Sequence, residues 1–211
     1  MSRSTLKSNT NKASNPIKFW LSWKGDVGQF QYWDGEKNVL VDNVELFVLD
    51  RKSTVTGWNE TNQSRIFANA VRNLNEELVV RTKNKQIAKG LWKDIKETVN
   101  QAGGNFTVNL YALTRLDDSE DLEPVCVQLD KSCLKSWTDF TEKYKLWQIY
   151  EGKLTITRGE EQKKGRVKFF VTEFALDEAD PDIAKQASLF DETQLQPYFN
   201  GEEEKEERAP F

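Results

Sequence analysis

Short alternating runs fill the chain between residues 16 and 174. In 17–24, a period of two sets Phe19, Leu21 and Trp23 on one face and Lys18, Trp20, Ser22 and Lys24 on the other. A turn at 25–28 follows. Residues 29–34 alternate again, with Gln29, Gln31 and Trp33 sharing a face, and Gly35 turns the chain. Further extended segments are predicted over 39–52 and 54–58, with a polar break at Asp42 and Asn43, and then over 65–71 and 78–83. In 91–102 the period changes: Leu91, Ile95, Thr98, Val99 and Ala102 recur at helical spacing, and Gly103 and Gly104 end the run. Alternation returns at 105–113, with Phe106, Val108 and Leu110 opposite Thr107, Asn109 and Tyr111. A short strand at 125–129 precedes a second helix at 133–144, where Cys133, Trp137, Phe140 and Tyr144 line one side. Residues 154–157 and 166–174 read as a hairpin turned through Lys163, Lys164 and Gly165.

This order predicts a mainly β fold: an OB-like Greek-key barrel with additional strands and two short helices, between disordered termini. A sandwich with two surface helices would give the same order. The predicted boundaries are a basic arm over 1–15, the barrel domain over 16–174 and an acidic tail over 175–211. The arm carries Arg3, Lys7 and Lys12 and no acid.

Charge sharpens that division. The net charge of −4 is unevenly spread. From Glu173 to Phe211 there are 12 acids and 3 bases, whereas residues 1–172 hold 22 acids and 27 bases. A basic body suggests a polyanionic partner, because phosphate contacts release counterions. The chain has no histidine, so the commonest general base and zinc ligand are missing. Two cysteines, Cys126 and Cys133, are too few for a disulfide framework and fit a reduced, cytoplasmic protein. No apolar stretch approaches the length of a membrane span, and the polar start does not read as a signal peptide.

The candidate chemistry follows from the faces. Lysines beside tryptophans on a non-core face suit single-stranded nucleic acid: bases stack on rings and lysines follow phosphates. Arg65, Phe67 and Asn69 share a similar face, and Arg81 and Lys83 project opposite Leu78 and Val80. The expected stacking residues are Trp20, Trp33, Phe67 and Tyr111. The expected phosphate contacts are Lys24, Arg65, Arg81 and Lys83. Carboxylate groups that could serve a nuclease, Asp94 with Glu97 and the run Asp117, Asp118, Glu120 and Asp121, lack a partner base or metal-ligand spacing. No phosphate-binding glycine loop of the GxxxxGK[ST] form occurs. The reading is therefore a binding protein with no cofactor and no metal, and not an enzyme.

The C-terminal region adds two partner signals. The end, Glu202-Glu-Glu-Lys-Glu-Glu-Arg-Ala-Pro210-Phe211, holds one aromatic ring at the tip of an acidic string. It resembles the acidic, Phe-terminated tails of bacterial and phage single-stranded-DNA-binding proteins. Gln186-Ala-Ser-Leu189-Phe190 is similar to the peptide by which bacterial replication proteins dock on a sliding clamp. An apolar turn folded back on the barrel accounts for the same residues.

Several internal stretches extend the first likeness: Arg65-Ile-Phe-Ala-Asn-Ala-Val-Arg-Asn-Leu, Lys89-Gly-Leu-Trp-Lys-Asp-Ile-Lys, Leu129 to Phe140, and Gly165-Arg-Val-Lys-Phe-Phe. Together they resemble a group of tailed-phage single-stranded-DNA-binding proteins, from about Phe19 to Phe174. Small residues in that family's pattern stand where Ser132 and Cys133 lie here. The resemblance implies an OB-like core, sequence-tolerant coating of single-stranded DNA, and a role in phage replication or recombination. It also implies recruitment of replication or recombination proteins through the tail. A protein-interaction adaptor of a replication complex, with no DNA binding, is the alternative from another class.

Overall fold

A computed structural model describes residues 14–116 and 121–201. Its elements run β1 (Phe19–Lys24), β2 (Gln29–Trp33), β3 (Asn38–Val41), β4 (Val44–Asn59), β5 (Ser64–Ala68), β6 (Leu78–Arg81) and β7 (Gln86–Gly90). Helix α1 (Trp92–Gln101), β8 (Gly104–Thr114), β9 (Glu123–Asp130), α2 (Ser132–Lys143) and α3 (Leu146–Glu151) follow. The chain continues through β10 (Gly152–Lys164), β11 (Val167–Glu178), α4 (Pro181–Phe190) and a π-helical turn, Asp191–Leu195. Residues 196–201 resume an α-helical path.

The fold is mainly β. One mixed sheet runs in the order β3-β2-β1-β9-β8-β4-β5-β6-β7, and β10 joins β4 while pairing with β11. The β1–β9 pair is parallel, with Leu21 beside Val127. A backbone bond from Phe170 N–H to the Gly25 carbonyl, 2.7 Å, ties β11 to the β1–β2 turn. Strands β1, β9, β8, the first half of β4, β10 and β11 thus curl around one core. That core holds Leu21, Trp23, Phe30, Leu46, Val108, Leu110, Val127, Leu154 and Ile156, closed by Cys133, Trp137 and Phe140 of α2 and Ile149 of α3. A second core, Val55, Ile66, Leu78, Val80, Ile95 and Val99, lies where β4–β7 meet α1. Each fully buried aliphatic or Phe side chain contributes about 1.5–3 kcal/mol, so these apolar faces hold the sheet together.

Strand β4 serves both cores. Its second half can lie close to β8 because glycine pairs with glycine: a Cβ on Gly57 would stand 2.3 Å from the Gly103 carbonyl oxygen. Gly103 also has φ +93°, where a side chain is strained.

Four expectations change. Among the described residues there are four α-helices, not two, because α3 and α4 carry no long periodic stretch in the sequence. Segments 39–52 and 54–58 become β3 and one continuous β4, and the polar Asp42–Asn43 break is the turn between them. Strand β7 is an addition to the predicted order. Residues 175–201, expected within a disordered tail, are ordered: β11 runs to Glu178 and α4 follows. The Asp180 carboxylate caps α4 by accepting from the Asp182 and Ile183 N–H groups at 2.9 and 3.4 Å, and Pro181 fits the first helical position. Leu195 and Phe199 then bury against the sheet with Ile17, Tyr111 and Cys126. Apolar residues in this stretch outweigh its acidity. Residues 1–13 of the expected arm and 202–211 of the expected tail, including Pro210 and Phe211, lie outside the described residues. So do Asp117, Asp118 and Glu120 of the carboxylate run.

Candidate nucleic-acid interface

The sheet has one apolar face turned to the cores and one outer face of different chemistry. Strand register places Trp20, Lys24, Trp33, Phe67, Arg65, Arg81 and Tyr111 on the outer face. Ser22 pairs with Gln31 on one side and with Gln128 on the other; Gln128 opposes Asn109, which opposes Lys52. A polar row therefore crosses β2, β1, β9, β8 and β4. The neighbouring row passes through Gln29, Lys24 and, by way of Asp130, Thr107 and Thr54. Beyond β4 the same face continues as Thr56, Phe67 and Arg81.

The aromatic residues at its ends are open. Trp20 is 43% exposed and Trp33 56%, while Leu21 and Trp23 are in the core. The register through Ser22 and Gln31 continues toward Trp20 and Trp33 on adjacent strands. On the far side Phe67 is exposed, as are Arg65 and Arg81. Arg65 stands opposite Trp58, an exposed ring that the sequence reading missed. Trp58 follows Gly57 at the end of a strand, so its alternation with Thr54 and Thr56 was the available signal. Lys83 lies past the end of β6, in the exposed turn before β7. Lys24 is half-buried at the end of β1, facing the middle of the surface.

That middle is a groove of about 810 Å³. Ser22, Lys24, Thr56, Thr107, Gln128 and Asp130 form its floor. The tip of the β10–β11 hairpin forms a wall through Lys164, Val167 and Phe169. Trp23 Nε1–H donates to the Phe170 carbonyl at 3.0 Å and fixes the hairpin over the sheet. The tip carries Lys163, Lys164, Arg166 and Lys168 around Gly165, whose φ of +64° makes the turn. Lys168 also bonds Glu161 at 2.8 Å. From sequence, Lys163, Lys164 and Gly165 read as a turn and Arg166 and Lys168 as part of the following strand, none of them as a phosphate contact. Four bases in six positions at a hairpin tip were the signal for a basic arm.

Two features of the groove are unusual. Asp130 has its titration raised by burial, partly offset by Lys131 and Lys24. Lys131 has φ 45° and ψ −107°, a region that non-glycine residues avoid. It enters α2 as the residue before the first turn, and this kink sets its position at the groove.

The structure corrects the place of Tyr111. It faces outward as expected, but it is 5% exposed beneath the C-terminal helical segment, with its ring 4.8 Å from that of Phe199. Burial pushes its hydroxyl titration up. In this arrangement Tyr111 cannot receive a base. Asn69 also turns from solvent to the backbone: its side chain donates to the Glu77 carbonyl and accepts from Val79 N–H. The clamp-like peptide lies on α4. Gln186 and Leu189 are exposed, but Phe190 packs against the sheet-side clusters, so the Leu-Phe pair is split between two environments. Both cysteines are free and buried; burial raises the Cys133 thiol to about 12. Among the described residues no cluster of three or more His, Cys, Asp or Glu could hold a metal ion. No described helix is long and apolar enough to cross a membrane.

Compared with family models, curated proteins and solved structures, the chain gives no match.

Proposed function

We propose that the chain binds single-stranded DNA along the outer face of its sheet, without strong sequence preference. The observation that carries this reading is the shared face. Trp20, Trp33, Phe67, Arg65 and Arg81 come from four strands, yet register sets them on one face with Lys24, which lines the groove. Rings at the ends stack bases, at about 1–3 kcal/mol each. Lys24, Lys131, Arg65, Arg81 and the hairpin tip follow the phosphates. Amides and hydroxyls on the floor meet bases without demanding one identity.

The barrel half is read as OB-like. The parallel β1–β9 pair, the single core inside the curl and the bond from β11 to the β1–β2 turn support that reading. The similarity of the sequence stretches to tailed-phage single-stranded-DNA-binding proteins supports a role in phage replication or recombination, in the host cytoplasm. The Phe-terminated tail would recruit replication proteins. The chemistry asked of the site is binding, not catalysis.

Titrating oligo-dT while following tryptophan fluorescence tests the core of this proposal. Quenching is expected, with tighter binding to single strand than to duplex of equal length and affinity that falls steeply with salt. Equal affinity for the two forms would sink the stacking model. No binding by natively folded protein would leave the adaptor reading in its place.

A further inference from the structure

The outer face does not end at the groove. Gln128 lines the groove and donates to Asn109 Oδ1 at 3.4 Å, and Asn109 pairs with Lys52 on β4. This end of the row is covered by the chain's own residues 196–201. There the Phe199 ring sits edge-on to Tyr111, with the Lys52 ammonium 3.7 Å from its centroid and the Arg72 guanidinium 5.8 Å away.

The cover is unlike the rest of the helix–sheet contact. Under α4 the contact is apolar, built from Phe47, Leu113 and Ala187. Under the last turn the contact is mixed: Phe199 packs with Ile17, Tyr111 and Cys126, yet the Lys52 ammonium lies over the same ring and the buried Asp50 is held nearby by Arg72. Burying an ammonium costs more than burying an aliphatic group, and here the Phe199 ring face offsets part of that cost. Cations set beside an aromatic ring also suit a stacked base with its phosphate. The chain also changes helical form at Asp191–Leu195, immediately before the covering turn. Such π-helical insertions interrupt the regular ladder and recur at functional sites. Arg72 bonds Gln196 Oε1 at 3.1 Å and holds Asp50 through Nε and Nη2 at 3.3 and 3.1 Å. The Asp50 partner therefore persists if the turn lifts.

We propose that Phe199 fills a second nucleobase seat, made by Tyr111, Lys52 and Arg72, which single-stranded DNA enters when residues 196–201 lift away. A base replaces the Phe199 ring against Tyr111. Lys52 and Arg72, now beside that ring, take the adjoining phosphate. The strand reaches the seat from the groove along Gln128 and Asn109. This rests on the single-strand reading of the groove and extends its path across β8 to β4.

The test compares the full chain with Phe199→Ala, Tyr111→Leu and the double variant, each checked for a native melt, by oligo-dT titration. Phe199→Ala is expected to tighten binding by roughly tenfold, the size of one stacked base gained without displacing the ring. Tyr111→Leu alone is expected to weaken binding, and in the Phe199→Ala background to remove the gain. A second measurement needs no variant: amide exchange in residues 196–201 should accelerate when oligo-dT saturates the full chain. If the full chain binds oligo-dT while Phe199→Ala binds equally and exchange in 196–201 is unchanged, the second seat is overturned and the groove reading stands. If neither the full chain nor Phe199→Ala binds oligo-dT, the groove reading itself falls and takes the seat with it.

Discussion

The two faces of one sheet are built to opposite rules. Toward the cores, β1, β8 and β9 present Leu21, Leu110 and Val127 without a polar break. On the outer face the same strands present Ser22, Asn109 and Gln128 in one row. Alternation along a strand creates both faces at once, so a residue's parity assigns it to the core side or to the outer side. The open and covered parts of the outer face differ in turn: Trp33 meets solvent, whereas Tyr111 meets Phe199.

The contrast between faces is broken most sharply by a pair of truncations. Leu110→Ala, at a site with no solvent exposure, is expected to cost about 2–5 kcal/mol in chemical denaturation. Trp33→Ala should stay within about 0.5 kcal/mol of the parent. Equal destabilisation by the two would mean that the outer tryptophan is structural.

Binding should reverse that ranking. Trp20→Ala and Trp33→Ala are each expected to weaken oligo-dT binding by about 1–3 kcal/mol, read from fluorescence or anisotropy titrations. A lower melting midpoint with normal affinity would assign either ring to cohesion.

Replacing Lys164, Arg166 and Lys168 by serine probes the wall of the groove instead of its floor. The slope of log affinity against log salt should become shallower by about 0.7 for each phosphate left without its cation. An unchanged slope would remove the hairpin tip from the interface.

The smallest expected effect concerns Asp130. Its carboxylate lines the groove with Lys24 and Lys131, where the proposed function puts the phosphates, so Asp130→Asn should tighten oligo-dT binding a few-fold near neutral pH. The sign with pH follows from its raised titration: the folded carboxyl takes up its proton at higher pH than a free one, which removes the negative charge. The parent should therefore approach the variant as pH falls through that raised range, and the two should diverge as pH rises. Parallel pH profiles would show that Asp130 does not sense the strand.

Much of this was legible from residue order. Period two separated Leu21 and Trp23 from Trp20 and Lys24, because the two-residue repeat leaves no other choice within a strand. It could not say what covers an outward face. Tyr111 has the parity of Asn109, but Phe199, far along the chain, closes over it, and no local pattern carries that information. The acidic composition of 175–201 pointed to a solvated tail, yet Leu195 and Phe199 outweighed it through burial. The hairpin tip was visible as a turn but not as a wall, since that role depends on Trp23 and Gly25 holding the β11 backbone across the sheet.

Strand β4 ties together two bodies of packed side chains, one with Leu46 and one with Val55. A sixteen-residue strand shared in this way makes the two cores partners in unfolding. Opening either core exposes its half of β4 and removes packing that supports the ladder to β8 along the whole strand. A single calorimetric transition is the expected consequence, with the lobe packed on α1 melting together with the first core.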